Sequence, residues 1–393
     1  MLVLALAAPA SAIEPAPVPL ATKLSQALAV PHVDQSRSAA LAIDLTTGEV
    51  VFARHQGLSL APASTEKLAV AYSALVAFGP SFRIRTDVIG RGTRRGSTWD
   101  GSLVLKGYGD PTLSLPDLRA LAREVRALGI RRITGAVLGD ESYFDSVRTA
   151  PGWKPRFYLN ESPSLSALTV ERGRLHGRDS HTPALAAAAA FGDALAGAGV
   201  AVSGTVALAG GPTAEPPLVY TLSEPLWRIV RYMGVESDNF TAEILLKQLG
   251  TLGAARGTTA AGVAMMRRLL AADGIPLAGV RLVDGSGLST LNRLTASTLV
   301  GIIRAALSSP QLRRSFIACL PVAGRTGTLE HRLERLPALG TVRAKTGSTS
   351  WSSSLSGLVG RRYVFAVLHN GQPVSKWWAR HAQDRFATVL AAQ

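Results

Sequence analysis

Ser64 and Lys67 lie three residues apart at the start of an apolar stretch, a spacing that suits acid–base chemistry. Pro62 precedes them and the apolar run 68–75 follows, a pattern that predicts a buried helix beginning near Ser64. Because residues three apart share a helix face, Lys67 is placed to take the proton that Ser64 must lose to become a nucleophile. The same spacing also fits an N-cap serine followed by a surface lysine.

Two further motifs follow, Ser237-Asp238-Asn239 and then Lys345-Thr346-Gly347. Together with Ser-x-x-Lys they are the three marks of penicillin-recognising serine enzymes. Only seven of the 42 basic residues are lysine, yet two of the seven, Lys67 and Lys345, occupy motif positions. Arginine does not give up its proton in a protein, so a base at position 67 has to be lysine. The three motifs in this order therefore indicate acyl transfer to Ser64.

The pattern of apolar residues divides the chain into two parts. A predicted hairpin leads into the Ser64 helix, and three predicted strands precede a final helix near the C-terminus. Between the first and second motifs, strands and helices make a mixed αβ segment of about domain size. We therefore expect a domain formed by residues 13–80 and 218–393, interrupted by an inserted domain at residues 81–217.

These motifs resemble those of the class C low-molecular-mass penicillin-binding proteins, the D-alanyl-D-alanine carboxypeptidase/endopeptidase family (peptidase family S13). The resemblance covers nearly the whole mature chain and is carried by residues 62–68, 109–112, 150–153, 237–239, 284–289, 320–324, 327–329 and 343–347. It implies an α/β (α+β) fold in which a transpeptidase domain, an antiparallel sheet flanked by helices, is interrupted by an inserted mixed αβ domain.

The resemblance also implies a role for each side chain that moves a proton. Ser64 attacks the carbonyl of a terminal D-Ala-D-Ala peptide while Lys67 takes its proton. Ser237 relays a proton to the leaving amine, and Asn239 positions Lys67 and the substrate amide. Burial, the helix N-terminus and the charge of Lys345 are expected to lower the pKa of Lys67 so that it can act as a base.

Other motif residues are implied to bind the substrate. Lys345 and Thr346 hold the terminal carboxylate, and Gly347 lets the peptide lie along the strand edge. The backbone N–H groups of Ser64 and Ser348 form the oxyanion hole. Water then hydrolyses the acyl-enzyme, so no cofactor is expected. No metal is expected either, because the histidines lack a His-Glu-x-x-His spacing and one cysteine excludes a multi-thiolate zinc site.

Three positions bear on recognition of the substrate side chain. Thr290 stands where similar proteins often have an arginine that holds a side-chain carboxylate, and Arg293 is near enough in sequence to replace it. Asp140 occupies a position that faces the cleft in similar proteins and is a candidate to bind the free amine of a diaminopimelate-type side chain. Capping of its own turn is an equal alternative for Asp140. The stretch 172–183 is too short for the further subdomain that larger family members carry there.

The start of the chain and its charge predict where the protein acts. Residues 1–12 are apolar and end in Ala10-Ser11-Ala12, which indicates the remnant of a secretory signal peptide. We expect export to the periplasm or the extracellular cell wall, without a transmembrane anchor. The formal charge of +15 is compatible with an anionic cell envelope, whereas scattered arginines without interleaved aromatic residues count against nucleic acid.

Three functions fit the motifs. The expected one is a serine-type D-Ala-D-Ala carboxypeptidase, with DD-endopeptidase activity as a further possibility, that acts on peptidoglycan stem peptides and is inhibited covalently by β-lactam antibiotics. A serine β-lactamase shares the motifs but needs a deacylating base, and no Glu-x-x-Leu-Asn-like segment is placed to supply one. A non-catalytic, basic envelope-binding module is the third, and the intact motifs argue against it.

Overall fold

The computed structural model describes residues 18–175 and 177–393, so the predicted signal-peptide remnant lies outside the described residues. The helices are α1 (Leu20–Leu28), α2 (Lys67–Phe78), α3 (Leu115–Ala127), α4 (Pro183–Gly197), α5 (Leu226–Val235), α6 (Asn239–Gly250), α7 (Thr259–Ala272), α8 (Ala296–Ser308), α9 (Pro310–Ala318) and α10 (Lys376–Ala391). The strands are β1 (Ser38–Asp44), β2 (Val50–Arg54), β3 (Arg85–Arg95), β4 (Thr98–Gly107), β5 (Arg132–Ile133), β6 (Val137–Asp140), β7 (Arg174–Leu175), β8 (Arg178–Asp179), β9 (Ala201–Val202), β10 (Val206–Leu208), β11 (Pro217–Leu222), β12 (Val342–Ser348), β13 (Ser352–Val359) and β14 (Tyr363–Asn370).

The two ends of the chain form one antiparallel sheet of five strands in the order β12-β13-β14-β1-β2. Successive side chains of a strand point to opposite faces, and both faces of this sheet are buried. Leu41 and Ile43 pack into the core that contains α2 and α8. Ala40 and Ala42 face the other way, into the core that contains α1 and α10. The sheet flanked by helices therefore has the predicted arrangement.

A second sheet of seven strands is built from the middle of the chain, with parallel and antiparallel pairs. Helices α3 and α4 supply much of its apolar core. Strand β11 pairs with β3 along its length, so it crosses the domain boundary that the sequence analysis places between residues 217 and 218. Cross-strand pairing with β3 therefore determines the structure of residues 217–222.

The inserted part packs directly against α6 of the other domain. Phe144 and Leu165 form a small core with Phe240 and Ile244. Beside this core the buried amine of Lys247 contacts the carboxylate of Asp145, and it also donates to a backbone carbonyl of the insertion at 2.8 Å. Burial of an amine is tolerated only with partners, so these contacts fix the insertion against the helix that follows Ser237.

Two glycines allow the turn before α2 to pack closely against its neighbours. Gly287 has a φ of +80°, and a Cβ there would lie 2.0 Å from the carbonyl oxygen of Ala63. A Cβ at Gly347 would lie 2.6 Å from the carbonyl oxygen of Pro62. The missing side chain of Gly347 thus lets β12 approach the turn that carries Ser64. Its expected role in letting the substrate lie along the strand edge stays a prediction.

We expect Gly287→Ala to lower the free energy of unfolding by about 1–3 kcal/mol more than Gly48→Ala does, because overpacking adds to backbone strain. Gly48 is a matched control with a φ of +79° and nothing within 4 Å of its added Cβ. Urea unfolding of both variants measures the difference. Equal losses would show that Gly287 is required only for its φ angle.

Candidate active site

Ser64 lies in a 3₁₀ turn, Ala63–Glu66, that leads into α2. The α-helix itself begins at Lys67, so Ser64 precedes it by one turn. Ala63 is held at a φ of +49°, a left-handed conformation that is strained for a residue with a side chain. Ser354 of β13 donates to the carbonyl of Pro62 at 2.6 Å, which ties the turn to the sheet.

Lys67 is buried with its amine bonded on three sides. It donates to Ser64 Oγ at 3.0 Å, to Asn239 Oδ1 at 2.8 Å and to the Ser286 carbonyl at 2.6 Å. Burial lowers the pKa of Lys67 from 10.5 to about 8, although nearby carboxylates, led by Asp238, raise it. The first and second motifs therefore meet at the amine of Lys67, whose pKa is about 8.

Lys345 of β12 joins the third motif to the second. Its amine is fully buried and donates to Ser237 Oγ at 2.8 Å and to the Thr346 carbonyl at 3.0 Å. Burial and the charge of Lys67 hold the pKa of Lys345 well below its usual value. Ser237 itself has a φ of +59°, so this side chain is presented by a strained backbone between α5 and α6.

The end of β12 forms the open side of the cluster. Thr346 is half-buried and donates from Oγ1 to Thr328 Oγ1 at 2.8 Å. Ser348 is exposed, and its hydroxyl accepts from Arg380 at 3.4 Å. Since Gly347 packs on residues 62 and 63, the strand end is held beside Ser64.

Three buried acidic side chains lie behind Lys67. Asp284 accepts hydrogen bonds from Trp153 Nε1 at 2.9 Å and from the Ser289 N–H at 2.7 Å, which closes the loop 284–289. Glu243 of α6 accepts from the backbone of that loop, and burial together with Asp284 raises the pKa of Glu243 to about 8. Residue 281 forms an isolated antiparallel bridge with Arg293. The tight loop that follows is held by Asp284, which also accepts from the Gly287 N–H at 2.9 Å.

Glu66, inside the first motif, is the third of these acids. It is fully buried, and neither of its carboxylate oxygens has a hydrogen-bond partner within the described residues. Burial, followed by the charges of Asp284 and Glu243, raises the pKa of Glu66 well above its ordinary value of 4.5. Nothing in the sequence pattern distinguishes Glu66 from a solvent-exposed glutamate of a helix.

The inserted part contributes to the site in two places that the sequence analysis did not assign. Besides Trp153 with Asp284, the backbone carbonyl of Glu161 accepts from Asn239 Nδ2 at 2.8 Å. Trp153 lies in residues 150–153, one of the stretches that resemble the family. That resemblance is the sequence signal that could have identified it as a site residue. Every residue has a backbone carbonyl, so the sequence cannot indicate that the carbonyl of Glu161 is the acceptor.

Comparison with protein families matches residues 20–178 and 173–393 to the D-Ala-D-Ala carboxypeptidase 3 (S13) family. The chain belongs to this family. A D-alanyl-D-alanine carboxypeptidase of Actinomadura sp. (strain R39) is 32% identical over 448 residues, covering 92% of this chain and 82% of that protein. Carboxypeptidase DacB of Mycolicibacterium smegmatis is 32% identical over 399 residues, covering 94% of this chain and 83% of that protein.

A solved structure has a similar fold. The crystal structure of penicillin binding protein 4 (dacB) from Haemophilus influenzae superposes with a TM-score of 0.82 at 22% identity, covering 94% of this chain and 98% of that chain. The predicted S13 family, its carboxypeptidase class and the fold class are thus confirmed. The two family matches meet at residues 173–178, where the sequence analysis expects a missing subdomain, and the structure has the short hairpin β7–β8 there.

Asp140 does not join the cluster of S13 motif residues. It is buried at the end of β6, where its carboxylate accepts from the N–H groups of Ser142 at 2.9 Å and Thr213 at 3.0 Å. The amine of Lys106 lies 3.8 Å away. These contacts match the capping alternative and leave Asp140 buried beside Lys106. They favour capping over substrate binding, and the substrate-binding role of Asp140 stays an untested prediction.

Arg293 also makes contacts within its own turn in this S13 chain. Its guanidinium donates to the carbonyls of Thr290 at 2.8 Å and Asn292 at 2.7 Å, which holds the turn containing Thr290. Burial, with the charges of Arg281 and Arg37, lowers the pKa of Arg293. A residue whose donors bind its own turn is poorly placed to replace an arginine at position 290.

We expect Glu66→Gln to change how stability depends on pH. The buried carboxyl keeps its proton in the folded state and ionises above about pH 4.5 when unfolded. Wild-type stability is therefore lost as pH rises above that value, and the amide removes this loss. The free energy of unfolding of the variant minus that of wild type should grow with pH, by at most about 1.4 kcal/mol per unit.

Urea unfolding between pH 4 and pH 8 measures this difference, and Glu49→Gln on the exposed first hairpin is the control. The control curve should run parallel to that of wild type. A pH-independent difference for Glu66→Gln would mean that Glu66 is ionised in the folded protein.

Proposed function

We propose that this chain is a serine-type D-Ala-D-Ala carboxypeptidase, able also to act as a DD-endopeptidase, that cleaves peptidoglycan stem peptides through an acyl-enzyme on Ser64. The observation that carries the proposal is the 3.0 Å hydrogen bond from the buried amine of Lys67 to Ser64 Oγ. A serine hydroxyl needs a neighbouring base to become nucleophilic, and a buried lysine with a pKa of about 8 is such a base.

Acylation begins when Ser64 Oγ gives its proton to Lys67 Nζ and attacks the carbonyl carbon of the bond between the two D-Ala residues. The carbonyl oxygen becomes an oxyanion that the backbone N–H groups of Ser64 and Ser348 stabilise. The C–N bond then breaks, and the proton that Lys67 took from Ser64 passes through Ser237 Oγ to the leaving amine. D-Ala departs, and the remaining peptide is esterified to Ser64.

The terminal carboxylate of the substrate binds at Lys345 and Thr346 in this proposal. The pKa of Lys345 is lowered by burial in the free protein, and an incoming carboxylate stabilises the protonated amine and raises that pKa. Binding of the carboxylate is thus coupled to protonation of Lys345, which keeps its hydrogen bond to Ser237 while it forms a charge-assisted one to the substrate.

Asn239 orients both partners. Its Oδ1 accepts from Lys67 while its Nδ2 donates to the Glu161 carbonyl, so the amide orientation is fixed by donors and acceptors on both sides. Because the amide group is planar, the hydrogen bond to Glu161 also fixes the direction of the second N–H of Nδ2. In hydrolysis of the ester, Lys67 takes a proton from the attacking water and then gives it to Ser64 Oγ as the ester bond breaks, which restores the free enzyme.

We also propose that the protein is exported and acts on the cell wall. No helix in the described part of the chain is long and apolar enough to cross a membrane. The formal charge of +15 supports association with an anionic envelope. β-Lactam antibiotics would bind as covalent inhibitors, because their amide carbonyl meets the same nucleophile.

We expect a labelled penicillin to acylate Ser64 and to remain bound for minutes or longer. Peptide mapping of the labelled protein identifies the residue, and release of the label gives the lifetime. Ser64→Ala should lose the label while its circular dichroism spectrum stays that of wild type. Turnover within seconds would favour a β-lactamase instead, and no labelling of wild type would reject the acyl-enzyme.

Ser237→Ala and Ser348→Ala should differ in their effect on acylation. The hydroxyl of Ser237 transfers a proton, and its loss should slow acylation by penicillin about a hundredfold or more. Ser348 acts through its backbone N–H, so loss of its exposed hydroxyl should change the rate by less than about threefold. Stopped-flow acylation measures both rates. Similar losses in the two variants would refute this division of roles.

A further inference from the structure

Arg172, in the inserted part, reaches across to the loop that carries the second motif. Its guanidinium forms an ion pair with the carboxylate of Asp238 and donates to Thr241 Oγ1 at 3.2 Å. The same guanidinium lies over the rings of Tyr232 on α5 and Phe240 on α6, 4.9 Å and 5.3 Å from their centroids. One side chain thus contacts α5, α6 and the loop between them.

Asp238 is the residue through which this contact affects the proposed active site. It caps α6 by accepting from the Thr241 N–H at 2.6 Å, and its own N–H donates to the carbonyl of Met233 at 3.0 Å. Its neighbours in the chain, Ser237 and Asn239, direct their side chains to Lys345 and Lys67. Movement of Asp238 would therefore displace both.

The loop requires such support because Ser237 is strained. A non-glycine residue in the left-handed region costs about 1 kcal/mol or more and persists only where its surroundings impose it. At Ser237 the φ is +59°. The capping bond and the ion pair on Asp238 are the contacts that impose this conformation from the C-terminal side.

Arg172 is itself held in an unusual backbone conformation. Glu171 and Arg172 have φ values of +48° and +56° within the 3₁₀ turn Glu171–Gly173. The carboxylate of Glu171 accepts from the Leu115 N–H at 2.8 Å, which anchors this turn to the start of α3. Two consecutive strained residues direct a single guanidinium away from the second sheet and toward Asp238.

We propose that Arg172 is a positioning residue for the acyl transfer: it fixes Asp238 and, through it, the hydroxyl of Ser237 and the amide of Asn239. The proposal rests on the proposed function, in which those two side chains take part in the reaction. Arginine suits this role because its planar group pairs with a carboxylate and stacks on aromatic rings at the same time. A lysine amine is a point charge and cannot do both.

Arg172→Gln should lower the second-order rate constant for acylation of Ser64 by penicillin about ten- to a hundredfold, since small misplacement of reacting groups costs this much. With a D-Ala-D-Ala peptide, kcat should fall by more than KM rises. Arg172→Lys should give an intermediate rate. The matched control is Arg174→Gln, two residues along, whose largely exposed side chain pairs with Asp179 and whose rate should stay within about twofold of wild type.

Asp238→Asn supplies a second route to the same test, and it decides the matter if Arg172→Gln does not fold. Asparagine still caps a helix but loses the ion pair, and it also removes a carboxylate that raises the pKa of Lys67. Compared with wild type at the optimum pH of each protein, which removes the effect of the altered pKa, its acylation rate should still fall at least about tenfold. In the double variant the two losses should not add, because both remove one interaction. Urea midpoints show that the proteins compared are folded.

The inference is overturned if Arg172→Gln or Asp238→Asn is acylated within about threefold of wild type, or if the two losses are additive. It is also overturned if activity is lost only in proportion to the unfolded fraction, which a purely structural tie would give. Failure of wild type to be acylated is a different result: it would reject the proposed function itself.

Discussion

The buried amine of Lys67 is the group on which the arrangement of the cluster depends. A buried amine is costly unless its donors are used, and its three acceptors come from segments far apart in the chain. Ser64 lies in the turn before α2, Asn239 at the start of α6, and the Ser286 carbonyl in the loop 284–289. Satisfying one amine therefore requires these three segments to meet, and their meeting point is the site.

The ionisation of that amine is set by two opposing effects. Burial disfavours the ammonium, whereas nearby carboxylates, led by Asp238 and then Asp284, favour it. A pKa of about 8 is the result of both. It lies where general bases are effective near neutral pH, so in the proposed mechanism these carboxylates adjust the strength of the base without touching the substrate.

The parts predicted well from the sequence are those fixed by local spacing. Ser64 and Lys67 are close because they are three residues apart, and β13 and β14 follow from apolar runs. Capping by Asp140 could be considered from its local pattern, but its carboxylate also accepts from the N–H group of Thr213, more than seventy residues away in the chain. Strand β11 was missed for the same reason, since only its pairing with β3 stabilises an extended conformation there. In both cases a partner distant in the sequence determines the structure, and the local residue pattern does not reveal that partner.

The inserted part contributes side chains and a backbone carbonyl to the surroundings of the candidate active site. It contacts the Asp284 loop through Trp153, the Asn239 amide through the Glu161 carbonyl, and the β12–β13 hairpin through Lys154, whose amine lies 4.5 Å from the ring centroid of Trp351. Each of these contacts ends on a segment that carries a motif or supports Lys67. Because an amide bonded on both sides cannot flip without breaking both bonds, the Glu161 carbonyl helps decide which end of Asn239 faces Lys67. In the proposed mechanism, the inserted part thus helps to position the reacting groups by fixing the orientation of the Asn239 amide.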